Sequence, residues 1–159
     1  MNIFQDEHLE ILKVLNKYKV NYILIGGVAV NYYGFSRPTG DLDVWLEPTE
    51  ENKQKLLRAL VALNIMEEDI ETINSTDFND AVVFHIGTTP PFVIDFLTKI
   101  VGVKWDEAWE MKIQEVVEGI TISFLHINHL KVNKLIAGRP KDHEDIRQLN
   151  RIEELRKNK

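Results

Sequence analysis

Two adjacent glycines directly after a short apolar run constrain the fold of this chain most strongly. Residues 20–25 (VNYILI) are typical of a buried strand, and the run stops at Gly26-Gly27. The next residues have the character of a short helix that ends at Gly34, a residue type common just beyond a helix C-terminus. Glycine lets the backbone approach a ligand closely, and free N–H groups at a helix start attract phosphate. This unit therefore predicts an α/β protein with an anion-binding loop at Gly26 and Gly27.

A pair of aspartates marks the next predicted strand, which covers residues 41–47 (DLDVWLE) and alternates strictly. Because successive side chains of a strand point to opposite faces, Asp41 and Asp43 share one face. The apolar residues between and after them, Leu42, Val44 and Leu46, then face the core. Two like charges on one face repel each other, and a divalent cation would neutralise both. Carboxylate oxygens suit Mg²⁺, which takes its remaining ligands from water and substrate phosphates.

A third aspartate, Asp95, lies inside the apolar run PFVIDFLT at residues 91–98. A charge within an apolar strand is costly unless it is paired or coordinated. Three carboxylates on neighbouring strands are what a two-metal phosphoryl-transfer site needs. In this scheme Asp41 and Asp43 ligate both ions, and Asp95 ligates the catalytic ion and helps to deprotonate an acceptor hydroxyl. For each aspartate alone, a turn cap or a salt bridge is the alternative.

Basic and polar residues near these motifs are further candidates for phosphate binding. Arg37 and Thr39 lie between the glycine pair and Asp41, and an arginine can hold phosphate oxygens through two parallel hydrogen bonds. Lys131 and Lys134 lie i, i+3 on one face of a predicted helix, from which both would reach a triphosphate. The alternative for each of them is a solvated surface side chain.

Other residues have less distinctive positions. Trp45 shares the face of the two aspartates and has the best claim among the aromatic residues to stack on a ligand. His85 is expected to be a paired strand histidine, with a place near the site as the alternative. Asp142 is expected to cap a helix start rather than to act in catalysis. The roles of Arg139 and Asp145 stay open.

The remaining segments predict a mixed sheet flanked by helices. Helices are expected over 4–18, 48–63, 104–112, 128–137 (capped by Asn128) and 141–156, while residues 64–79 are ambiguous. Hairpins are expected from residues 81–87 and 91–98, with a turn at Thr88-Thr89-Pro90, and within 116–124 around Glu118-Gly119. The order favours an α/β (α+β) fold with a mixed sheet. We expect a core in residues 1–125 and a C-terminal helical extension in 126–159 that packs on the same domain.

These motifs together resemble the nucleotidyltransferase superfamily, which has a polymerase-beta-like fold. The resemblance rests on Gly26-Gly27, a short helix ending at Tyr33-Gly34, the segment RPTGDLD (37–43) and the segment VIDF (93–96). The tail KLIAGRPKDHEDI (134–146) is similar to the helical segment that follows the core in small bacterial members. Those members include lincosamide-type and abortive-infection toxin-type nucleotidyltransferases.

The resemblance implies transfer of a nucleoside monophosphate from Mg²⁺–NTP, such as ATP, to a hydroxyl, with release of pyrophosphate. Asp41, Asp43 and Asp95 would be the catalytic metal ligands for two Mg²⁺ ions, with Mn²⁺ as the alternative ion. Gly26 and Gly27 would form the triphosphate loop. Many members have a serine at the second place of this loop, whereas Gly-Gly occurs in the lincosamide and CCA-adding branches.

Composition limits the setting in which such chemistry would occur. The chain has no cysteine, which excludes disulfides and thiolate zinc sites. No apolar run approaches the ~18 residues that span a bilayer, and the first ten residues are too acidic for a signal or transit peptide. We therefore expect a cytoplasmic protein without a membrane partner.

The acceptor stays open between a small molecule, an RNA and a protein. Residues 131–159 hold nine basic and five acidic side chains, which argues for an RNA, whereas the acidic remainder argues against one. Because the chain leaves little room for a separate acceptor-binding domain, a homodimer mate or a cognate partner protein would complete the acceptor site.

One alternative is a non-catalytic nucleotide-binding module or a toxin–antitoxin component on the same fold. A Rossmann-type domain is disfavoured, because no G-x-G-x-x-G follows the first strand.

Overall fold

Helices and strands are interleaved along the chain, and the computed structural model describes residues 3–87 and 93–158. The strands in this part of the chain are β1 (Tyr22–Ile25), β2 (Leu42–Leu46), β3 (Val83–Ile86), β4 (Ile94–Leu97), β5 (Ile113–Val117) and β6 (Ile120–Phe124). The helices are α1 (Asp6–Lys17), α2 (Gly26–Tyr33), α3 (Glu50–Ala62), α4 (Glu67–Asn74), α5 (Trp105–Met111), α6 (Ile127–Ala137) and α7 (Pro140–Lys157). This confirms the predicted α/β class.

The strands form a mixed sheet in the order β3-β4-β2-β1-β6-β5. The two predicted hairpins, β3–β4 and β5–β6, are antiparallel, β1 is antiparallel to β2, and β1–β6 and β2–β4 are parallel. Ile25 pairs with Asp43, and Asp43 pairs with Asp95. The end of β1 therefore meets the starts of β2 and β4 in the middle of the sheet.

Each face of the sheet is covered by a different set of helices, because strand side chains alternate between the faces. Leu24 and Val44 belong to a core that contains buried residues of α1, α3 and α4. Ile23 and Trp45 belong to a second core, which contains buried residues of α2, α5, α6 and α7. Asp43 shares the strand face of Ile23 and Trp45, so it points towards the C-terminal helices. Among the described residues, no helix is long and apolar enough to cross a membrane.

The start of α3 differs from the prediction. The helix begins at Glu50, not at Pro48, and Thr49 is its N-cap. The Thr49 hydroxyl accepts the backbone N–H of Asn52 at 3.1 Å. Since a threonine hydroxyl satisfies a free N–H of the first turn, the cap fixes the helix start two residues later than the proline indicated.

The start of α6 also differs from the prediction. The cap is His126 rather than Asn128, and the helix begins at Ile127. Nδ1 of His126 accepts the backbone N–H of Asn128 at 3.1 Å, so the imidazole caps the helix in place of the asparagine side chain. The predicted end at Gly138 is confirmed, with the glycine in the left-handed conformation.

The hairpin turns differ in how far the structure describes them. Residues 88–92, which contain the predicted turn at Thr88-Thr89-Pro90, lie outside the described residues. The β5–β6 turn has φ angles of 48° at Glu118 and 81° at Gly119. Two successive positive φ angles are typical of a type I′ hairpin turn, as the Glu-Gly pair indicates.

Candidate active site

Three aspartates line one cavity of about 370 Å³ at the edge where β1, β2 and β4 meet. Asp43 on β2 and Asp95 on β4 are register partners, so their side chains leave the sheet on the same face. Asp41 lies just before β2 and lines the same cavity. The structure thus brings together the three carboxylates that the sequence predicted.

The electrostatics of this edge act most strongly on Asp43. Burial, together with the nearby charges of Asp95 and Asp41, raises the pKa of Asp43 from 3.8 to about 6. Lys141 and Lys134 oppose this effect. At neutral pH the Asp43 carboxyl is ionised, and this charge is destabilised by burial and by the neighbouring carboxylates. A bound cation would relieve the repulsion among the three carboxylates.

Gly26 makes room for the Asp43 carboxylate. Its φ angle is +67°, a conformation that residues with a side chain rarely adopt. A Cβ atom built at Gly26 would lie 2.1 Å from Oδ2 of Asp43 and 3.0 Å from its Cγ. Both the backbone conformation and the close approach therefore require glycine at this position.

Gly27 has a different reason to lack a side chain. A Cβ atom at this position would lie 2.5 Å from Oγ1 of Thr39 and 3.3 Å from Nη1 of Arg37. The Thr39 hydroxyl thus occupies the space that a serine side chain at position 27 would enter. This accounts in steric terms for the departure from the more frequent Gly-Ser loop.

Four cationic side chains line the same cavity as the aspartates: Arg37, Lys134, Arg139 and Lys141. The sequence predicted Arg37 and Lys134 as phosphate ligands, whereas it left the role of Arg139 open and did not assign Lys141 to the site. The sequence did contain a signal for both residues, because they lie in the tail segment 134–146 that resembles small bacterial nucleotidyltransferases. Lys131 forms an ion pair with Glu153 and is not a lining residue.

His85 is paired and Asp142 caps a helix start, as the sequence predicted. Nδ1 of His85 lies 2.5 Å from Oδ1 of Asp95, so the histidine is paired and also lies beside the site. Asp142 accepts the backbone N–H of Arg139 at 3.1 Å, which confirms its capping role at the start of α7.

The prediction that Trp45 contacts a ligand is wrong. Its side chain is buried, and its indole N–H donates to the carbonyl oxygen of Thr98 at 3.1 Å. The ring packs edge-on against Trp105 of α5, with centroids 5.1 Å apart. Trp45 lies on the same strand face as Asp43, two residues further along β2, and α5 covers the face at that point.

The donor set suits a hard divalent cation, since the three aspartates offer only carboxylate oxygens. Within residues 3–87 and 93–158, however, no group of three or more His, Asp or Glu side chains has the arrangement that would hold a metal ion. Two observations explain this. The carboxylates repel one another, and one oxygen of Asp95 is held by His85. A cation would have to draw the side chains together.

A second cavity of about 330 Å³ adjoins the first and shares Gly26, Asp43, Lys134 and Arg139 with it. Its remaining lining is largely apolar: Ile25, Leu97, Lys99, Ile100, Val101, Asn133 and Ala137. Asp43 therefore lies at the junction between a charged cavity and one that combines charged and apolar lining residues. This arrangement can hold a substrate with a charged part and an uncharged part.

A similar fold occurs in the crystal structure of the lincosamide antibiotic adenylyltransferase LnuA in its lincomycin-bound form, with a TM-score of 0.57 and 14% sequence identity. The match covers 96% of this chain and 99% of that chain, and at such low identity it establishes the fold alone. The family described as "Nucleotidyl transferase of unknown function (DUF2204)" matches residues 5–159, and the chain belongs to this family. A search of curated proteins finds no match to the sequence.

Proposed function

We propose that this chain transfers a nucleoside monophosphate from a Mg²⁺–NTP to a hydroxyl acceptor and releases pyrophosphate. The observation that carries the proposal is the single cavity in which three aspartates, two glycines and four cationic side chains meet. Phosphoryl transfer needs positioning and charge neutralisation more than covalent chemistry by the protein. This cavity offers both.

The β- and γ-phosphates are bound by the cationic side of the cavity. The start of α2 at Gly26 and Gly27 presents backbone N–H groups, which favour anions. The Thr39 hydroxyl donates to the carbonyl oxygen of Asp41 at 3.3 Å and lines the cavity beside Gly27. Lys141 has no hydrogen bond or ion pair within the described part of the chain, so it is free to neutralise the departing pyrophosphate.

Asp41, Asp43 and Asp95 would hold two Mg²⁺ ions, with Mn²⁺ as the alternative. When bound, these ions would neutralise the phosphate oxygens and polarise the α-phosphate. Asp43 would be the central ligand, because it lies between Gly26 on one side and Asp95 on the other.

At the α-phosphorus, the proposed reaction forms one bond and breaks one, and one proton is transferred. The acceptor oxygen bonds to the α-phosphorus, and the bond between the α-phosphorus and the bridging oxygen to the β-phosphate breaks. Pyrophosphate leaves with that electron pair, and the acceptor proton passes to a carboxylate oxygen of Asp95. His85 orients the Asp95 carboxylate through its contact with Oδ1.

The second cavity provides space for the uncharged part of a substrate. We propose ATP as the donor and a small hydroxylated molecule as the acceptor, for which the cavity of about 330 Å³ offers space. The fold neighbour LnuA is named for adenylyl transfer to a lincosamide antibiotic, which supports this choice.

The test is incubation of the purified chain with α-³²P-labelled NTPs and Mg²⁺, in the presence of hydroxyl-bearing small molecules, RNA or protein. We expect label transfer to a small molecule with equimolar pyrophosphate, and no transfer in EDTA. Label on RNA or protein would overturn the choice of acceptor only. Absence of both label transfer and pyrophosphate release with every acceptor would contradict the proposed function.

The close contact between Gly27 and Thr39 gives a prediction on stability. We expect Gly27→Ser to lower the free energy of unfolding by about 1–3 kcal/mol, because its Cβ overlaps the Thr39 side chain. Thr39→Gly removes the overlapping atoms, so the double variant should be more stable than Gly27→Ser alone. Urea unfolding of the four proteins, including Thr39→Gly as the control, measures the coupling. Additive losses would show that the two side chains do not compete for this space.

A further inference from the structure

A cluster of five charged residues connects the cavity to the start of α7. We name it the charge cluster; it contains Arg37, Lys134, Arg139, Asp142 and Asp145. The two aspartates are buried, with side chains 0% (Asp142) and 1% (Asp145) exposed. The three cations all line the cavity, whereas neither aspartate does. The carboxylates therefore lie behind the cations as seen from the cavity.

Asp145 contacts two of these cations. Its Oδ1 accepts from Nε of Arg37 at 2.8 Å, and its Oδ2 accepts from Nη2 of Arg37 at 2.9 Å. Nζ of Lys134 lies 2.7 Å from the same Oδ2. One carboxylate thus holds a loop residue and a residue of α6 that lie far apart in sequence.

The geometry leaves one edge of the Arg37 guanidinium directed towards the glycine loop. Nε and Nη2 are used by Asp145, while Nη1 lies 3.3 Å from the position of a Cβ at Gly27. Nη1 also donates to the carbonyl oxygen of Pro38 at 3.1 Å. A guanidinium held at two nitrogens has lost most of its freedom to rotate, so its third nitrogen is fixed beside the loop.

Asp145 keeps its charge despite its burial. Burial raises the pKa of the carboxyl, but the hydrogen bonds from Arg37 and Lys134 lower it more, and the net shift is downward. The same holds for Asp142, whose pKa is lowered by Arg139 and Lys134 against the effect of burial. With three cations and two carboxylates, the charge cluster has one excess positive charge. The carboxylates therefore fix the cations and leave the charge cluster with a net positive charge that attracts phosphate.

We propose that Asp145 is a positioning residue of the triphosphate site, which holds Arg37 and Lys134 in the orientation that receives the phosphate chain. The inference rests on the proposed function for the identity of the ligand. Asp145 touches no substrate itself and acts through the two cations. It makes α7 part of the nucleotide site.

The first experiment is calorimetric titration of the full chain with inorganic tripolyphosphate, which probes the phosphate site without a nucleotide or an acceptor. Asp145→Asn keeps the shape but removes the charge, and we expect affinity to fall about tenfold or more. Glu144→Gln is the matched control on the same helix, since within the described part of the chain the side-chain hydrogen bonds and ion pair of Glu144 go to Arg147 and Gln148. The control should bind tripolyphosphate as the wild type does.

A double-mutant cycle separates positioning from a merely structural role. If Asp145 acts through Arg37, then Arg37→Ala should weaken binding about tenfold in the wild type but less than about twofold in Asp145→Asn. Equal losses in both backgrounds would overturn the proposal, as would wild-type affinity in Asp145→Asn. In steady state the KM for nucleotide should rise more than kcat falls.

Arg37→Lys tests the proposal even where Asp145→Asn does not fold. Lysine keeps the charge but cannot occupy both oxygens of Asp145 and also present a third nitrogen to Gly27. We expect tripolyphosphate affinity to fall about tenfold, as for Asp145→Asn. Unchanged affinity would contradict the inference.

Failure of the two proposals can be told apart. Nucleotidyl transfer by the wild type with unaltered phosphate binding in Asp145→Asn would overturn the positioning role alone. Tripolyphosphate binding that depends on Asp145, without transfer to any acceptor, would overturn the proposed function alone.

Discussion

Asp43→Asn is expected to abolish nucleotidyl transfer and, at the same time, to stabilise the ligand-free chain. Activity should fall about a thousandfold or more, because the central oxygen ligand of the proposed metal site loses its charge. The asparagine side chain has the same shape and fits beside Gly26 as the aspartate does. The measurement is label transfer from α-³²P-labelled ATP at saturating Mg²⁺.

The gain in stability follows from the raised pKa of Asp43. A carboxyl with a pKa near 3.8 when unfolded and about 6 when folded binds its proton more tightly in the folded state. Its contribution to stability is therefore fully present below pH 3.8 and is lost as the pH rises through about 6. At pH 7.5 the variant should exceed the wild type by about 1–3 kcal/mol in the free energy of unfolding.

Urea unfolding at pH 4 and pH 7.5 checks this part of the prediction, with metal removed by EDTA. The difference between Asp43→Asn and the wild type should shrink at the lower pH, where the wild-type carboxyl is protonated. Asp69→Asn, an exposed aspartate on α4, is the control and should change stability by less than about 0.5 kcal/mol. Full transfer activity in Asp43→Asn, or a lower stability at pH 7.5, would contradict the role given to this carboxylate.

Gly26→Ala is expected to cost activity far more than stability. The added Cβ would lie 2.1 Å from Oδ2 of Asp43, so the carboxylate must rotate away from the site. We expect at least about a hundredfold loss of transfer, because a small displacement of a catalytic group can cost this much. The left-handed backbone adds a loss of about 1–2 kcal/mol in the free energy of unfolding.

Gly138→Ala is the matched control for Gly26→Ala. Its φ of +68° is almost the same as the +67° of Gly26, but its nearest atoms lie 3.7 Å from a Cβ. The two variants should therefore lose similar stability, since both place an alanine in a left-handed conformation. Normal transfer by Gly26→Ala would show that the close approach between Gly26 and Asp43 has no catalytic importance.

Local patterns were sufficient to predict most of the fold. The alternation in DLDVWLE and the Gly-Gly and Glu-Gly turns depend on neighbouring residues, and the elements that they predict are present. The helix starts at Glu50 and Ile127 depend on which nearby side chain accepts a backbone N–H. Two competing capping residues within a few positions cannot be ranked by pattern alone.

The site was predictable only in part, because several contacts join distant segments. The alternation of the strand placed Trp45 on the same face as Asp43, but it carried no information on the packing of α5 over the Trp45 side chain. The partner of Arg37 is Asp145, 108 residues away, and no spacing rule relates the two. The close packing of the Thr39 side chain against Gly27 likewise depends on how the loop folds back.

The most direct test of the account is calorimetric titration of the purified chain with ATP, with and without Mg²⁺, repeated on Asp43→Asn. The account predicts binding that requires Mg²⁺ and is lost in Asp43→Asn, which would assign the triphosphate to these carboxylates. Binding that is independent of Mg²⁺ and of Asp43, or no binding by the wild type to any NTP, would contradict it.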